Sequence, residues 1–203
     1  MELYKAELID KYVLPCFAKT AKEDGYFARD INSVCRLHKA VKFQELESPG
    51  AALEGRIWLP IIPLVHSYYL TPDNKCKWGS RIWNKQQFVF YSSSLLNQQL
   101  RSDYIEVLEP GELLSISYPN LLALMDRYPE VHQKIQQVSA SNERHYRYHN
   151  QLLNKPPLER VKQFEEENSL FAKVASNSTK AIHVGLTRQG YESQLKKLAT
   201  LNL

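Results

Sequence analysis

The chain has 203 residues, with 26 Lys and Arg against 22 Asp and Glu, a formal net charge of +4, and is 43% hydrophobic and 24% charged. This length buries a core without disulfides or metals, and no apolar run approaches the roughly 18 residues that span a bilayer. Cys16, Cys35 and Cys76 are too scattered and too few for a disulfide framework or a four-thiolate cluster, and Met1 is followed by Glu2, Lys5, Glu7 and Asp10 rather than by a secretory leader, so a cytoplasmic location is expected.

In chain order, Leu3, Ala6, Ile9 and Tyr12 or Val13 predict a helix over Glu2–Ala21 interrupted at Pro15, and Ile31, Val34, Cys35 and His38 predict a second over Ala28–Ala40. From Val41 to Ser117 short β-branched and aromatic runs alternate with turn residues, as in a sandwich or barrel. The predicted strands are Val41–Glu47, Arg56–Pro60, Ile62–Leu70, Lys77–Trp83, Phe88–Tyr91, Asp103–Glu109 and Glu112–Ser117, with an eighth expected. Turns fall at Ser48-Pro49-Gly50, Thr71-Pro72-Asp73-Asn74 and Glu109-Pro110-Gly111, and Pro60 and Pro63 make Ile62–Leu70 an edge or bulged strand.

Helical periodicity returns at Asn120, stops at Tyr128-Pro129, and resumes in a long helix with Pro129 at its first position. Val131, Ile135, Val138, Asn142, His145, His149 and Leu152 recur along it as a heptad seam on an otherwise polar helix. The seam needs a partner: the same helix of a second subunit is expected, the alternative being the chain's own barrel. Asn154-Lys155-Pro156-Pro157 marks a hinge, after which helices are predicted at Leu158–Asn168, Leu170–Ala175, Asn177–Val184 and Arg188–Leu201, with Gly185 in the last turn and Thr187 as a cap. That is a helix-turn-helix layout, and Val174–Leu203 holds four basic residues against one acidic.

This order of elements resembles the Crp/Fnr family of bacterial transcription regulators. The stretch Pro63-Leu-Val-His-Ser-Tyr-Tyr-Leu-Thr-Pro-Asp-Asn-Lys75 looks like a hairpin of that family, with Pro63 where glycine is usual. Arg101-Ser102, followed by Ile116-Ser117-Tyr118, is similar to the end of the phosphate-binding cassette of its cyclic-AMP receptors. The resemblance implies an α+β fold: N-terminal helices, a double-stranded β-helix or jelly-roll sensor of the cyclic nucleotide-binding type, a long dimerisation helix and a C-terminal helix-turn-helix. The divisions expected are 1–128, 129–154 and 155–203.

It also implies candidate sites. Arg101 and Ser102 stand where the family holds a cyclic phosphate, but the ribose-binding glutamate position holds Tyr91 and the adenine-contacting pair falls at Tyr146 and Arg147, so cyclic AMP is not the expected ligand. Tyr91, Ser92, Ser93, Arg101, Ser102 and Tyr146 are the candidate ligand residues. Their plainer alternatives are a surface salt bridge from Arg101 to Asp103 or Glu106, core packing for the tyrosines, and capping of a short helix by Ser92 to Ser94. For DNA, Arg188 is the candidate guanine reader and Gln189 an adenine-capable amide, Thr187 opens the helix, Ser193 replaces a second base-reading arginine, and Lys196 and Lys197 can hold phosphates. Asn177 and Lys180 occupy positions where the preceding helix of such a module normally buries apolar groups, leaving Ala181 and Val184 inward. Neither a catalytic constellation nor a metal or cofactor is expected, His145 and His149 lacking supporting ligands. The functional expectation is a homodimeric, ligand-responsive DNA-binding regulator. The alternative is a binding or structural protein of the same fold with a vestigial DNA module.

Overall fold

The computed structural model describes residues 2–17, 25–73 and 76–201. Helix α1 (Glu2–Leu8) runs into a π turn at Ile9–Val13 and a 3-10 turn at Leu14–Cys16, where Pro15 removes the donor a longer helix needs. The part of the first predicted helix from Ala18 to Ala21 lies outside the described residues. Helix α2 (Gly25–Val34) buries Phe27 and Ile31.

The expected continuation of α2 to Ala40 is corrected by the structure. Arg36–Ala40 is strand β1, hydrogen-bonded antiparallel from Arg36 opposite Ser115 to Ala40 opposite Gly111. A few apolar residues fit a helix or a strand equally well, and the open edge of a sheet decides between them.

Six strands follow: β2 (Glu45–Glu47), β3 (Arg56–Pro60), β4 (Val65–Leu70), β5 (Lys77–Trp83), β6 (Tyr104–Val107) and β7 (Gly111–Ser117). They form two antiparallel sheets, ordered β1-β7-β3 and β2-β6-β4-β5. Phe88–Tyr91 is not a full strand, making a single bridge between Val89 and Trp58, and residues 41–44 form a turn with Phe43 at φ 63° rather than the start of β2. Nor is β4 an edge. It is paired on both sides, Pro60 ends β3 and Pro63 lies in the connection before β4, and the irregularity is an extra residue, Ser80, on β5 opposite the Ser67–Tyr68 step. That bulge buries Gly79, Ser80 and Arg81 in succession. Between the sheets lie Trp58, Val65, Trp83, Val89, Ile105, Val107 and Leu113.

Helix α3 (Ser92–Asn97) is one short segment against the roll, closed by Gln98 in the left-handed region at φ 54°. Helix α4 (Tyr118–Arg127) and the 25-residue α5 (Pro129–Leu153) follow, each with Pro in its first turn. Helices α6 (Pro157–Glu167), α7 (Ser169–Val174), α8 (Asn177–His183) and α9 (Arg188–Leu201) complete the described chain.

The apolar seam of α5 is occupied within the chain. Val131 and Ile135 belong to the core formed with α1, α2, α4 and the β3–β7 face, and Val138 packs against it. Leu152 lies in a second core with Val161, Phe164, Phe171, Val184 and Tyr191, which Leu64 and Leu108 of the roll also enter. This favours packing within the chain, against the barrel and the C-terminal helices, over the expected pairing of this face with a second subunit. The positions left exposed on α5 include Gln133, Gln136, Gln137, Ala140, Arg144, Arg147 and Gln151, an almost wholly polar surface.

Candidate functional site

Arg101 makes neither of the salt bridges that the sequence offered as alternatives, with Asp103 or Glu106. Its guanidinium pairs with Glu47 of β2, reaches Glu54 at 3.5 Å, and donates through Nε to the Ala51 carbonyl at 3.1 Å. The backbone joins in, since Arg101 and Gly50 exchange N–H to carbonyl bonds at 2.9 and 3.1 Å. Both Arg101 and Glu47 are buried, and Glu47 also accepts from Trp58 Nε1 at 2.8 Å and the Arg56 N–H at 3.1 Å. Burial pushes the Glu47 carboxyl up from the usual range, while Trp58 and Arg101 pull the other way. The arginine expected to meet a ligand's phosphate is thus neutralised by a carboxylate of its own chain.

Tyr91, Ser93, Ser102 and Tyr146 do come together. They line a cavity of about 520 Å³ between β5, α3 and α5, whose wall also holds Trp78, Ser80 and Asp103. Tyr91, Ser92, Ser93 and Tyr146 line a second cavity of about 500 Å³ toward Glu143. Arg101 lines neither of these two cavities. Ser92 to Ser94 form the first turn of α3 rather than capping it, since Tyr91 holds the N-cap position without a side-chain cap bond, and Ser92 accepts from Asn142 Nδ2 at 3.4 Å.

The polar centre of the larger cavity is acidic. Asp103 is buried and accepts from Ser80 Oγ at 2.6 Å and Ser102 Oγ at 2.5 Å. Burial raises the phenols of Tyr91 and Tyr146, the latter to about 12, so both stay protonated donors. A carboxylate ringed by Trp78, Tyr91 and Tyr146 suits hydrogen-bond donors and aromatic or cationic groups better than a phosphodiester. The sequence reading missed Asp103 and Ser80. Asp103 stands two residues from Arg101 and was weighed only as its salt-bridge partner.

At the other end, Ser176 caps α8 by accepting from the Thr179 N–H at 3.1 Å, and Gly185 turns the chain at φ 63°. Thr187 caps α9, its Oγ1 accepting from Gly190 N at 3.1 Å. Lys180 is buried as its position implies and is satisfied by Glu165 at 3.1 Å, which also accepts from the Tyr191 hydroxyl. This trio joins α6, α8 and α9 where an apolar contact was expected. Thr187, Arg188, Gln189, Ser193, Lys196 and Lys197 are all exposed. Arg188 holds Glu192 at 2.8 Å on the surface, a pair that costs little to open.

The helix-turn-helix rests on the roll. His183 is buried against Gly79 of β5, His66 of β4, and Phe164 and Phe171, with the rings of His149 and His183 6.5 Å apart. Gly185 abuts Trp78, and Arg160 Nη1 donates to the Val184 carbonyl at 2.7 Å. Among the described residues no group of three or more His, Cys, Asp or Glu is placed to hold a metal ion, and no helix is long and apolar enough to cross a membrane.

No protein-family model matches the chain, and no curated protein matches it in sequence. Solved structures match it in fold, as the following three do. FixK2 from Bradyrhizobium japonicum has a TM-score of 0.69 at 18% identity, over 83% of this chain and 86% of its own. The c-di-GMP-responsive global regulator CLP of Xanthomonas campestris has a TM-score of 0.71 at 16% identity, over 89% and 94%. A regulator of the Crp/Fnr family from Eubacterium rectale, itself described as a putative one, has a TM-score of 0.69 at 12% identity, over 90% and 84%. The chain therefore has the fold of the Crp/Fnr transcription regulators, which bears out the resemblance read from its residues.

Proposed function

We propose that this protein is a cytoplasmic, ligand-responsive DNA-binding transcription regulator of the Crp/Fnr type. The observation that carries the reading is the exposed row on α9. Arg188 and Gln189 stand at the start of the second helix of a capped helix-turn-helix, with Ser193, Lys196 and Lys197 at helical spacing behind them. Guanidinium and amide groups there can read base edges in a major groove, and the lysines can hold phosphates. The division proposed is a roll with its helical lid (1–128), a long helix (129–154) and a DNA-binding unit (155–203).

The ligand proposed is not cyclic AMP. Arg101 is spent on Glu47, and the cavity lined by Tyr91, Ser93, Ser102 and Tyr146 carries Asp103 where a phosphate would need a cation. Two copies would pair along α5 to present two α9 helices to successive half-sites. Because the apolar seam is occupied, that pairing rests on the polar face.

Selection of genomic DNA fragments with the purified protein tests the reading. An enriched sequence is expected. Absence of any enriched site favours the alternative, a protein of the same fold that keeps its α8–α9 unit for packing.

A further inference from the structure

Arg81 of β5 is more than nine-tenths buried, and its Nε and Nη1 have no hydrogen-bond partner. Among the described residues no carboxylate lies within ion-pair distance of it. Its guanidinium carbon lies 5.0 Å from the ring centre of Trp83 and 5.9 Å from that of Tyr146, aromatic faces that soften its desolvation without supplying acceptors. A guanidinium does not escape by deprotonating, so an unpaired one inside a protein is a standing cost.

The same side chain lines a cavity of about 310 Å³ between β5, the turn at residues 84–88 and α5. Lys134 lines it as well, with Gln86, Gln87, Gln137, Ser141 and Asn142, and none of its described lining residues is acidic. Lys134 makes no ion pair among the described residues. Two carboxylates lie in the neighbourhood and are committed elsewhere. Glu167, in the adjoining cavity, accepts from Tyr148 and from Gln163, and Asp103 from two serines. His145 registers the positive field, its pKa brought to about 4 by burial first and by Arg81 second.

We propose that Arg81 and Lys134 form a site for a small organic anion carrying a phosphoryl or carboxylate group, in the cavity between β5 and α5. The guanidinium carries N–H donors that no protein acceptor takes, and Lys134, Ser141 and the side-chain amides line the same cavity. This site is separate from the cavity of Asp103, and its occupancy does not depend on the chain binding DNA.

Calorimetric titration at constant ionic strength, with inorganic phosphate in one arm and succinate in the other, tests it. Saturable binding of at least one is expected, and the arm that binds identifies the group taken. Arg81→Met, which keeps the apolar bulk, should weaken that binding at least tenfold, and Lys134→Gln, on the half-buried helix surface, by three- to tenfold. Lack of saturable binding in both arms overturns the proposal. So does wild-type affinity in Arg81→Met or, should that variant fail to fold, in Lys134→Gln.

Discussion

His183 of α8 lies 3.1 Å from His66 of β4, Nε2 to Nδ1, and His66 Nε2 lies 3.3 Å from Glu106. One neutral arrangement satisfies both contacts: His183 donates to His66, and His66 donates to Glu106. The helix-turn-helix is thereby fastened to the roll through the buried ring of His183. Burial, then the fields of His66, His149 and His145, hold His183 well below the ordinary histidine value. Burial lowers His149 also, and His145 to about 4.

Above about pH 6.5, the unfolded value, these imidazoles are neutral folded or unfolded and the folded state keeps its full stability. Below it the unfolded chain binds protons that the buried rings refuse, so stability falls toward the folded values, by up to about 1.4 kcal/mol per pH unit for each group. Thermal melting should therefore be flat between pH 7 and about pH 8 and drop between pH 6.5 and 5. His183→Gln should make the drop shallower, and an unchanged profile in that variant would contradict the assignment.

Gly79 sits under the His183 ring so closely that an added Cβ would overlap it. Gly79→Ala is expected to loosen α8 from β5 while leaving the sheets folded. Hydrogen exchange should show residues 177–201 losing at least tenfold protection and the strands of the β3–β7 sheet little. Equal loss in both would place the effect in the strand itself.

The Glu47–Arg101 pair makes a different prediction. Glu47→Gln leaves the buried Arg101 guanidinium only the exposed Glu54, at 3.5 Å, as a charge partner and should cost about 3 kcal/mol in denaturant unfolding. The double replacement Glu47→Leu with Arg101→Met should recover most of that loss. A cost below about 1 kcal/mol for Glu47→Gln would mean that Arg101 is available to a ligand after all.

Because Val131, Ile135 and Leu152 are buried within the chain, the exposed side of α5 offers a partner mainly polar groups, Gln133, Gln136, Gln137, Arg144 and Arg147 among them. Sedimentation should show a weak dimer, largely dissociated at low micromolar concentration without DNA. A dimer stable at nanomolar concentration would show that the packing of α5 on its own roll gives way on association.

Much of this architecture was legible in the residues. Pro129, Pro156 and Gly185 set the bounds of α5, α6 and α9, because long periodic helices with clear breakers leave little freedom. Arg56–Pro60 and Lys77–Trp83 were read to the residue. Arg36–Ala40 was not, since its five residues fit a helix face until β7 supplies the ladder. Nor could Glu47 be matched to Arg101, 54 residues away, without the fold. Arg81 escaped for a related reason. The extra residue at Ser80 leaves two successive side chains, Ser80 and Arg81, buried, which strict alternation along β5 does not anticipate.

The most direct test of the central claim is the affinity of α9 for DNA, measured by fluorescence anisotropy on a duplex recovered by selection and on a scrambled one. Wild-type protein should prefer the selected duplex by at least a hundredfold, and Arg188→Ala should lose at least tenfold on it and little on the scrambled one. Equal binding of the two duplexes, or an Arg188→Ala variant that binds as wild type, would contradict the account.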